Sequence, residues 1–239
     1  MADIAAQVSS SLSALTQEFD VIANNLANAS TAGYKRRCNA FTKAMEEQGV
    51  VQGPEAPEES VLDFSQGRLV QTDRTLDFAL HGKGFFVIET PDGPLYTRHG
   101  VFQTNQNGQI VDLSGRVVAG TAGPIALPSE IDPGNVHVAA DGRISAGGAA
   151  IGQFRIVEFA DNENHLIPAG NTCFRAPADL EPADAEQPVV RQGYQEASNV
   201  RLVDELVGMI TVSRLYESSM RLVAVNRDTA NSMLGVAMG

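Results

Sequence analysis

Apolar residues near the N-terminus recur at the spacing of a coiled-coil stripe. They stand 4, 3, 4, 3 and 4 positions apart, with mostly small or polar residues between them: Val8, Leu12, Leu15, Phe19, Ile22 and Leu26. Steps of three and four keep side chains on one face of an α-helix. The pattern predicts an N-terminal helix with one narrow apolar stripe. Such a helix is marginal alone in water, so we expect it to pack against another element.

The C-terminal segment has a longer apolar pattern on a single heptad-like register. Its strongest members are Leu202, Leu206, Met209, Tyr216, Met220, Val223 and Leu234. Val203, Val207 and Ile210 widen the stripe in its first half. Asn199 or Ser198 is a natural N-cap, and acidic residues follow where the helix dipole favours them. We predict a helix of about 35 residues with more apolar surface than one partner helix would cover.

Two interpretations of these terminal helices remain open. In the first they form a hairpin packed on the core of the same chain. In the second they associate with helices of other chains. The sequence pattern alone allows both, because an apolar stripe does not specify what covers it.

The middle of the chain reads as β structure. All 11 prolines lie between Pro54 and Pro188. Short runs rich in β-branched and aromatic residues alternate with turn signals at Gly93, Gly108, Gly115, Gly134 and Gly142. Many short strands joined by such turns are typical of an antiparallel domain. Acidic, proline-bearing stretches at residues 53–63 and 176–188 look like exposed connectors.

We therefore expect a mixed α and β fold, with long N- and C-terminal helices around a central all-β, antiparallel domain. The predicted divisions are residues 1–35 for the N-terminal helix and a following turn, 36–62 for a connector, 63–192 for the β domain and 193–239 for the C-terminal helix.

Charge and hydropathy exclude several classes of protein. The net charge of −12 disfavours nucleic acid and anionic membrane surfaces as partners, because both attract clustered Lys and Arg. The sequence has no apolar run long enough for a transmembrane helix, so no membrane insertion is expected. Its opening also lacks the basic and apolar regions of a cleaved secretory signal. Cys38 and Cys173 fit no metal or redox spacing.

No pattern of catalytic or metal-binding residues emerges. The four histidines are scattered without ligand spacing: His81, His99, His137 and His165. The stretch "HGKGFF" lacks the Lys-Ser/Thr of a phosphate-binding loop. The sequence also has no G-x-S-x-G motif, which would place a nucleophilic serine on a sharp turn. We expect no catalytic residue, no metal and no cofactor, and hence a protein that is not an enzyme.

One basic cluster interrupts the acidic chain. Lys35, Arg36 and Arg37 are consecutive. They could form a solubilising turn, or a positive edge that meets the acidic surface of a neighbouring copy or partner. Three charges are too few to bind nucleic acid by themselves.

The stretch "FDVIANNLANASTAGYK", residues 19–35, closely resembles the N-terminal signature of the bacterial flagellar rod and hook protein family. Phe19 stands where the family usually has leucine, and the position remains apolar. The residues that carry the signature after the stripe are Ala23, Asn24, Asn25, Asn28, Thr31, Gly33, Tyr34 and Lys35.

The resemblance extends to the other parts of the chain. "GYQEASNVRLVDELVGMITVSRLYE" is similar to the family's C-terminal pattern, with departures at Gln195, Leu206 and "SRLYE". The last departure puts in doubt only the close packing of side chains there. The central "LDFALHGKGFFVIETPDGPLYTRHGVF" also resembles the family.

The resemblance implies an axial subunit of the flagellum. It implies export through the flagellar type III apparatus and polymerisation with copies of itself and other rod or hook proteins. In such a tube the terminal helices form an inner coiled-coil layer. The signature turn would then top the N-terminal helix and lock subunit registry, with Gly33 helping to reverse the chain. The implied location is the periplasmic rod of the basal body, where the subunit transmits motor torque to the hook.

Length and the C-terminal helix favour a proximal rod protein, whereas "GYKRRCNAF" favours a distal one; a short hook-type subunit is a further alternative. In a different class, the β domain would be a binding module and the helices a dimerising stalk.

Overall fold

The computed structural model describes residues 2–39, 60–128, 133–160 and 162–238, and side chains within residues 9–39, 61–128, 133–160 and 162–225. The central part of the predicted connector, most of the acidic stretch 53–63, and the side chains of Val8 and Leu234 lie outside the described residues.

The chain divides into two compact units. The first, called here the helical unit, comprises Met1–Ala27, Arg37–Val61 and Arg201–Gly239. The second, called the β unit, comprises Asn28–Arg36 and Leu62–Val200. Each unit therefore draws on widely separated parts of the sequence.

Two long helices dominate the helical unit, as the apolar periodicity predicts. Helix α1 spans Ala2–Ala27 and helix α2 spans Leu202–Met238. Ile22 lies beside Gly208, and Asn25 beside Glu205, so the two helices run antiparallel. No helix among the described residues is long and apolar enough to cross a membrane.

Helix α2 begins later than the sequence predicts. Residues Tyr194–Glu196 form a strand, and the helix starts only at Leu202. Asn199 is not its N-cap, because the Asn199 side chain bonds to residues of the β unit instead. The predicted start at residue 193 therefore does not hold.

Short strands account for most of the regular structure between the helices. In chain order they are β1 (Arg37–Asn39), β2 (Ser60–Leu62), β3 (Leu69–Gln71), β4 (Phe78–His81), β5 (Phe85–Glu89), β6 (Leu95–Thr97), β7 (Gln103–Thr104), β8 (Ile110–Val111), β9 (Val117–Gly120), β10 (Gly123–Pro124), β11 (Val136–Val138), β12 (Arg143–Ala146), β13 (Ala149–Gln153), β14 (Ile156–Glu158), β15 (Ile167–Pro168), β16 (Cys173–Arg175), β17 (Ala183–Asp184), β18 (Val189–Gln192) and β19 (Tyr194–Glu196). Pro133–Asn135 and Glu163–His165 form short 3₁₀ turns.

The largest sheet of the β unit is antiparallel and has the strand order β15-β16-β6-β5-β9-β8-β7, with β10, β14 and β17 paired beside this path. Strands β11-β12-β13 form a second sheet, and β18-β4, β19-β3 and β1-β2 form pairs. The central antiparallel β-rich domain predicted from the sequence is thus confirmed.

The core of the β unit lies on both faces of strand β5. Phe86 and Ile88 belong to one buried cluster, whereas Phe85 and Val87 belong to another. Alternate residues of a strand point to opposite faces, so a strand covered on both sides is apolar throughout. This is why "FFVI" has no polar alternation.

Four of the five predicted turns are confirmed as hairpin turns, whereas Gly134 lies in the 3₁₀ turn Pro133–Asn135. Gly93, Gly108, Gly115 and Gly142 each have a positive φ. Each of their backbone N–H groups donates to a carbonyl three residues earlier. Turns of this kind favour glycine because it has no Cβ to clash in the left-handed region.

Candidate assembly site

Lys35 of the signature turn is buried in the β unit. Its Nζ donates to Oε1 of Glu196 at 2.7 Å and to the Ser65 carbonyl at 2.7 Å. Only 2% of the lysine surface is exposed. The predicted positive edge of consecutive basic residues is therefore wrong for Lys35, because this ammonium neutralises a buried carboxylate within its own chain.

Glu196 has a second cation beside it. Nη1 of Arg98 lies 3.6 Å from Oε2 of Glu196 and donates to the Gly82 carbonyl. The backbone N–H of Gly67 donates to Oε1 of Glu196 at 2.9 Å. Lys35, Arg98, Glu196, Ser65 and Gly67 form what we call the Glu196 cluster.

Burial determines the electrostatics of this cluster. Loss of solvent lowers the pKa of Lys35, and the attraction of Glu196 opposes that shift. Burial also lowers the pKa of Arg98, again against the attraction of Glu196. Desolvation disfavours a charged base, so a single carboxylate serves two cations that would be costly to bury alone.

Asn199 ties three backbone segments of the β unit together. Its Oδ1 accepts the N–H of Arg36 at 2.7 Å, and its Nδ2 donates to the Asp63 carbonyl at 2.8 Å. The Asp63 N–H in turn donates to the Arg36 carbonyl. A side-chain amide suits this position because it offers a donor and an acceptor together.

Gly33 allows the signature turn to approach the β unit's backbone. Its φ is +66°, and a Cβ added there would lie 2.5 Å from the His99 nitrogen. Its N–H donates to the Glu196 carbonyl at 2.7 Å. No other residue type satisfies both the left-handed backbone and this close approach.

Asn25 forms a similar polar contact inside the helical unit. Its Oδ1 accepts the N–H of Arg37, and its Nδ2 donates to the Arg37 carbonyl, both at 2.8 Å. Nδ2 also lies 3.2 Å from Oε2 of Glu205 in α2. The side chain is almost fully buried. These paired hydrogen bonds explain why asparagine, a weak helix former, stands at position 25 in the last turn of α1.

The remaining signature residues have local roles. Asn24 is exposed and donates to the Asp20 carbonyl. Asn28 accepts from both the backbone N–H and the hydroxyl of Thr31. The N–H of Tyr34 donates to the Thr31 carbonyl, and the half-buried Ala23 lies in the last turns of α1.

Helix α1 meets α2 through a face of α2 that the periodicity missed. Glu205 and Val212 are its buried residues, and a Cβ on Gly208 would lie 3.3 Å from Cδ1 of Ile22. Ile22 itself is 5% exposed. A groove of about 350 Å³ continues between the helices, lined by Leu15, Thr16, Phe19, Val212, Ser213, Tyr216 and Glu217.

The predicted C-terminal stripe is exposed on the single chain. Leu202, Leu206, Tyr216, Met220 and Val223 are exposed, and Met209 is half-buried. The N-terminal stripe is covered better, since Ile22 is buried and Leu12, Leu15 and Leu26 are half-buried, although Phe19 is exposed. The two predicted stripes therefore meet only in part within this chain, where Leu15, Phe19 and Tyr216 line the same groove.

Four polar residues in these contacts escaped the sequence analysis as site residues: Arg98, Glu196, Asn199 and Glu205. Glu196 and Asn199 do lie in the quoted "GYQEASNV", and Arg98 lies in "YTRHG". A charged residue embedded in a motif was the available signal. A charged residue in a motif does not indicate which residue it will contact. Lys35 and Glu196, for example, are more than 100 residues apart in the sequence.

The described residues contain no group of His, Cys, Asp and Glu side chains able to hold a metal ion. The buried acids and bases described above are instead joined to one another or to backbone groups. This arrangement suits the fixing of chain segments, and the contacts contain no activated nucleophile.

Comparison with known proteins matches three parts of the chain to family models. Residues 8–35 match "Flagella basal body rod protein", residues 79–146 match "Flagellar hook protein FlgE/F/G D1 domain", and residues 191–237 match "Flagellar basal body rod FlgEFG protein C-terminal". All the residues of the signature turn fall in the first match, and Glu196 falls in the third.

Curated relatives are similar over most of their length. The chain is 32% identical to a flagellar basal-body rod protein FlgG of Buchnera aphidicola, with 87% of this chain and 89% of the relative covered. It is 31% identical to a rod protein FlgF of Caulobacter vibrioides, with 87% of both chains covered. It is 30% identical to FlgG of Bacillus subtilis, with 92% of this chain and 93% of the relative covered.

Proposed function

This chain belongs to the family of flagellar basal-body rod proteins, and we propose that within it the chain is the proximal rod subunit. The family is structural, and the protein is not an enzyme. It is a component of the basal-body rod and assembles with other flagellar rod and hook proteins. We further propose that it reaches the periplasm through the flagellar type III export apparatus and transmits motor torque to the hook.

The observation that supports an assembly role most directly is the exposed apolar surface of α2. Val203, Val207 and Ile210 are 70%, 58% and 55% exposed, and the stripe from Leu202 to Val223 adjoins them. Helix α1 covers only one face of α2. Helix α2 is apolar on most of its circumference and therefore requires further helices to cover it. Large exposed apolar surfaces are unfavourable in water.

We propose that the two stripes contact neighbouring subunits in a coiled-coil layer of the rod. The residues are Val8, Leu12, Leu15, Phe19, Ile22 and Leu26 of α1 and Leu202, Leu206, Met209, Tyr216, Met220 and Val223 of α2. A repeated head-to-tail contact of this kind builds an open helical array. The signature turn, Asn24 to Lys35, would keep neighbouring subunits in register. Of the predicted divisions, residues 1–35, 36–62 and 63–192 are kept as proposals, whereas the C-terminal helix begins at Leu202.

Charge substitution on the exposed stripe tests this proposal. Leu206→Asp and Met220→Asp should leave the isolated protein folded, because both positions are exposed. Each should abolish rod incorporation, since a carboxylate would be buried at a subunit contact. Ser218→Asp is the control, because Ser218 is exposed and polar on the same helix. Normal motility and normal rods in both stripe variants would contradict the proposal.

The alternatives predict different observations. Immunogold labelling of purified basal bodies would place a proximal subunit at the inner end of the rod and a distal subunit nearer the hook.

The binding-module alternative predicts a discrete dimer in dilute solution, with both helices resistant to limited digestion by trypsin and chymotrypsin. A rod subunit should instead remain monomeric and be cleaved in α2 by trypsin at Arg214 and Arg221 and in α1 by chymotrypsin at Phe19, because lone helices are marginal.

A further inference from the structure

We propose that the Glu196 cluster imposes an order on the docking of two segments of the β unit. The C-terminal segment, residues 193–200, docks first and supplies the carboxylate that the N-terminal segment, residues 28–36, then binds. This inference concerns the folding of the single chain and does not rest on the proposed place of the protein in the rod.

The C-terminal segment has its own attachments to the β unit. Strand β19 pairs with β3, with Tyr194 opposite Gln71 and Glu196 opposite Leu69. The N–H of Ala197 donates to the Arg68 carbonyl at 2.9 Å, and the N–H of Gly193 donates to the Asp77 carbonyl. None of these bonds involves a residue of the N-terminal segment.

The N-terminal segment bonds in large part to the C-terminal segment. Gly33 donates to the Glu196 carbonyl, Lys35 to the Glu196 carboxylate, and Arg36 to the Asn199 side chain. These three contacts require residues 193–200 to be already in place. The other partners of the segment, Ser65 and Asp63, belong to the neighbouring stretch before β3.

The buried charges make the N-terminal segment depend on the C-terminal segment, but not the reverse. If the N-terminal segment leaves, Glu196 keeps Arg98 at 3.6 Å as a counterion. If the C-terminal segment left alone, Lys35 and Arg98 would remain buried together without their carboxylate. In addition to burial, the charge of Arg98 already lowers the pKa of Lys35, and the weaker attraction of Asp63 opposes this shift. Unpaired buried charges are strongly unfavourable, so the C-terminal segment cannot leave while the N-terminal one stays docked.

The order matters for the chain because of what adjoins the two segments in sequence. Helix α1 ends at Ala27, immediately before the N-terminal segment, and α2 begins at Leu202, just after the C-terminal segment. Strand β19, which precedes α2 in the sequence, is therefore in place before the segment that follows α1 docks.

Amide hydrogen exchange on the full chain tests the order, with Lys35→Met, Glu196→Gln and the exposed-site control Arg143→Met. Glu196→Gln should accelerate exchange at Gly33 and Arg36 by about a hundredfold or more, since it removes the carboxylate that holds Lys35 between them. Lys35→Met should accelerate exchange at Gly33, while Ala197 should keep a free energy of opening at least as large as that of Gly33. Arg143→Met should change neither segment.

Two outcomes would overturn the proposal. One is that Ala197 has a lower free energy of opening than Gly33 in Lys35→Met; the other is that Glu196→Gln leaves Gly33 and Arg36 protected. If Glu196→Gln does not fold, native-state exchange of the unaltered chain in rising denaturant decides. The amides of Gly33 and Arg36 must then lose protection at or below the denaturant concentration at which the Ala197 amide loses it. Loss of protection at Ala197 first would refute the proposed order.

Discussion

The ammonium of Lys35 lies 2.7 Å from the carboxylate of Glu196, across 161 residues of sequence, and both side chains are essentially inaccessible to solvent. One residue belongs to the N-terminal signature and the other to the C-terminal motif. The two motifs by which the chain resembles its family are therefore in direct contact within one folded unit.

Breaking this pair should be costly. Lys35→Met and Glu196→Gln should each reduce the free energy of unfolding of the β unit by about 3 kcal/mol or more, because each removes one partner of a buried, hydrogen-bonded ion pair. The double variant should lose less than the sum, with a coupling of about 1–3 kcal/mol. Denaturant unfolding of all four proteins measures this. The exposed pair Arg143 and Asp141 provides the control cycle, in which no measurable coupling is expected.

Gly33→Ala should destabilise the β unit by about 3 kcal/mol or more, because a methyl group there adds a clash with the His99 backbone to a left-handed φ. Gly115→Ala is the matched control. Its φ is also positive, at +79°, but a Cβ there meets nothing within 4 Å. It should cost only about 1–2 kcal/mol. Equal losses in thermal unfolding would argue against the close approach at Gly33.

Ile22→Asp should disrupt the helix pair while the β unit stays folded. The substitution places a carboxylate against Gly208, where α1 approaches α2 closely. We expect motility to be lost in cells that carry only this variant. Ser13→Asp, at an exposed position of α1, should preserve it. The β-sheet circular dichroism signal of Ile22→Asp should remain, and normal swimming would count against a role for this contact.

His99 should make the stability of the β unit depend on mildly acidic pH. Burial lowers the pKa of His99 below its ordinary value, against the attraction of Asp112 and Asp77. The unfolded chain then binds the proton more readily, so stability present above about pH 6.5 is lost as the pH falls towards the lowered value.

The measurement is the free energy of unfolding at about pH 7.5 and about pH 5. His99→Gln should lose less stability over this interval than the parent protein, since glutamine does not titrate. His137→Gln, at an exposed position, should behave like the parent. An unchanged pH dependence in His99→Gln would contradict the prediction.

The local features of the fold could be predicted because their causes are local. The apolar steps of three and four predict both helices, and glycines with positive φ determine the hairpins at residues 93, 108, 115 and 142. Each of these patterns acts over a few residues, where backbone sterics and side-chain period dominate. The family resemblance likewise depends only on short runs of residues and needs no tertiary information.

Other features were decided only by the tertiary structure. Sequence pattern assigned Lys35 to a basic surface and Asn199 to a helix cap, whereas folding buries the first against Glu196 and uses the second to join Arg36 to Asp63. It also could not tell which face of α2 meets α1, because Glu205 and Gly208 are not apolar. The sequence by itself thus determined the helices, the turns and the β-rich middle. Which polar side chains become buried depended on partners far along the chain, since only a folded core can supply the charge that makes their burial favourable.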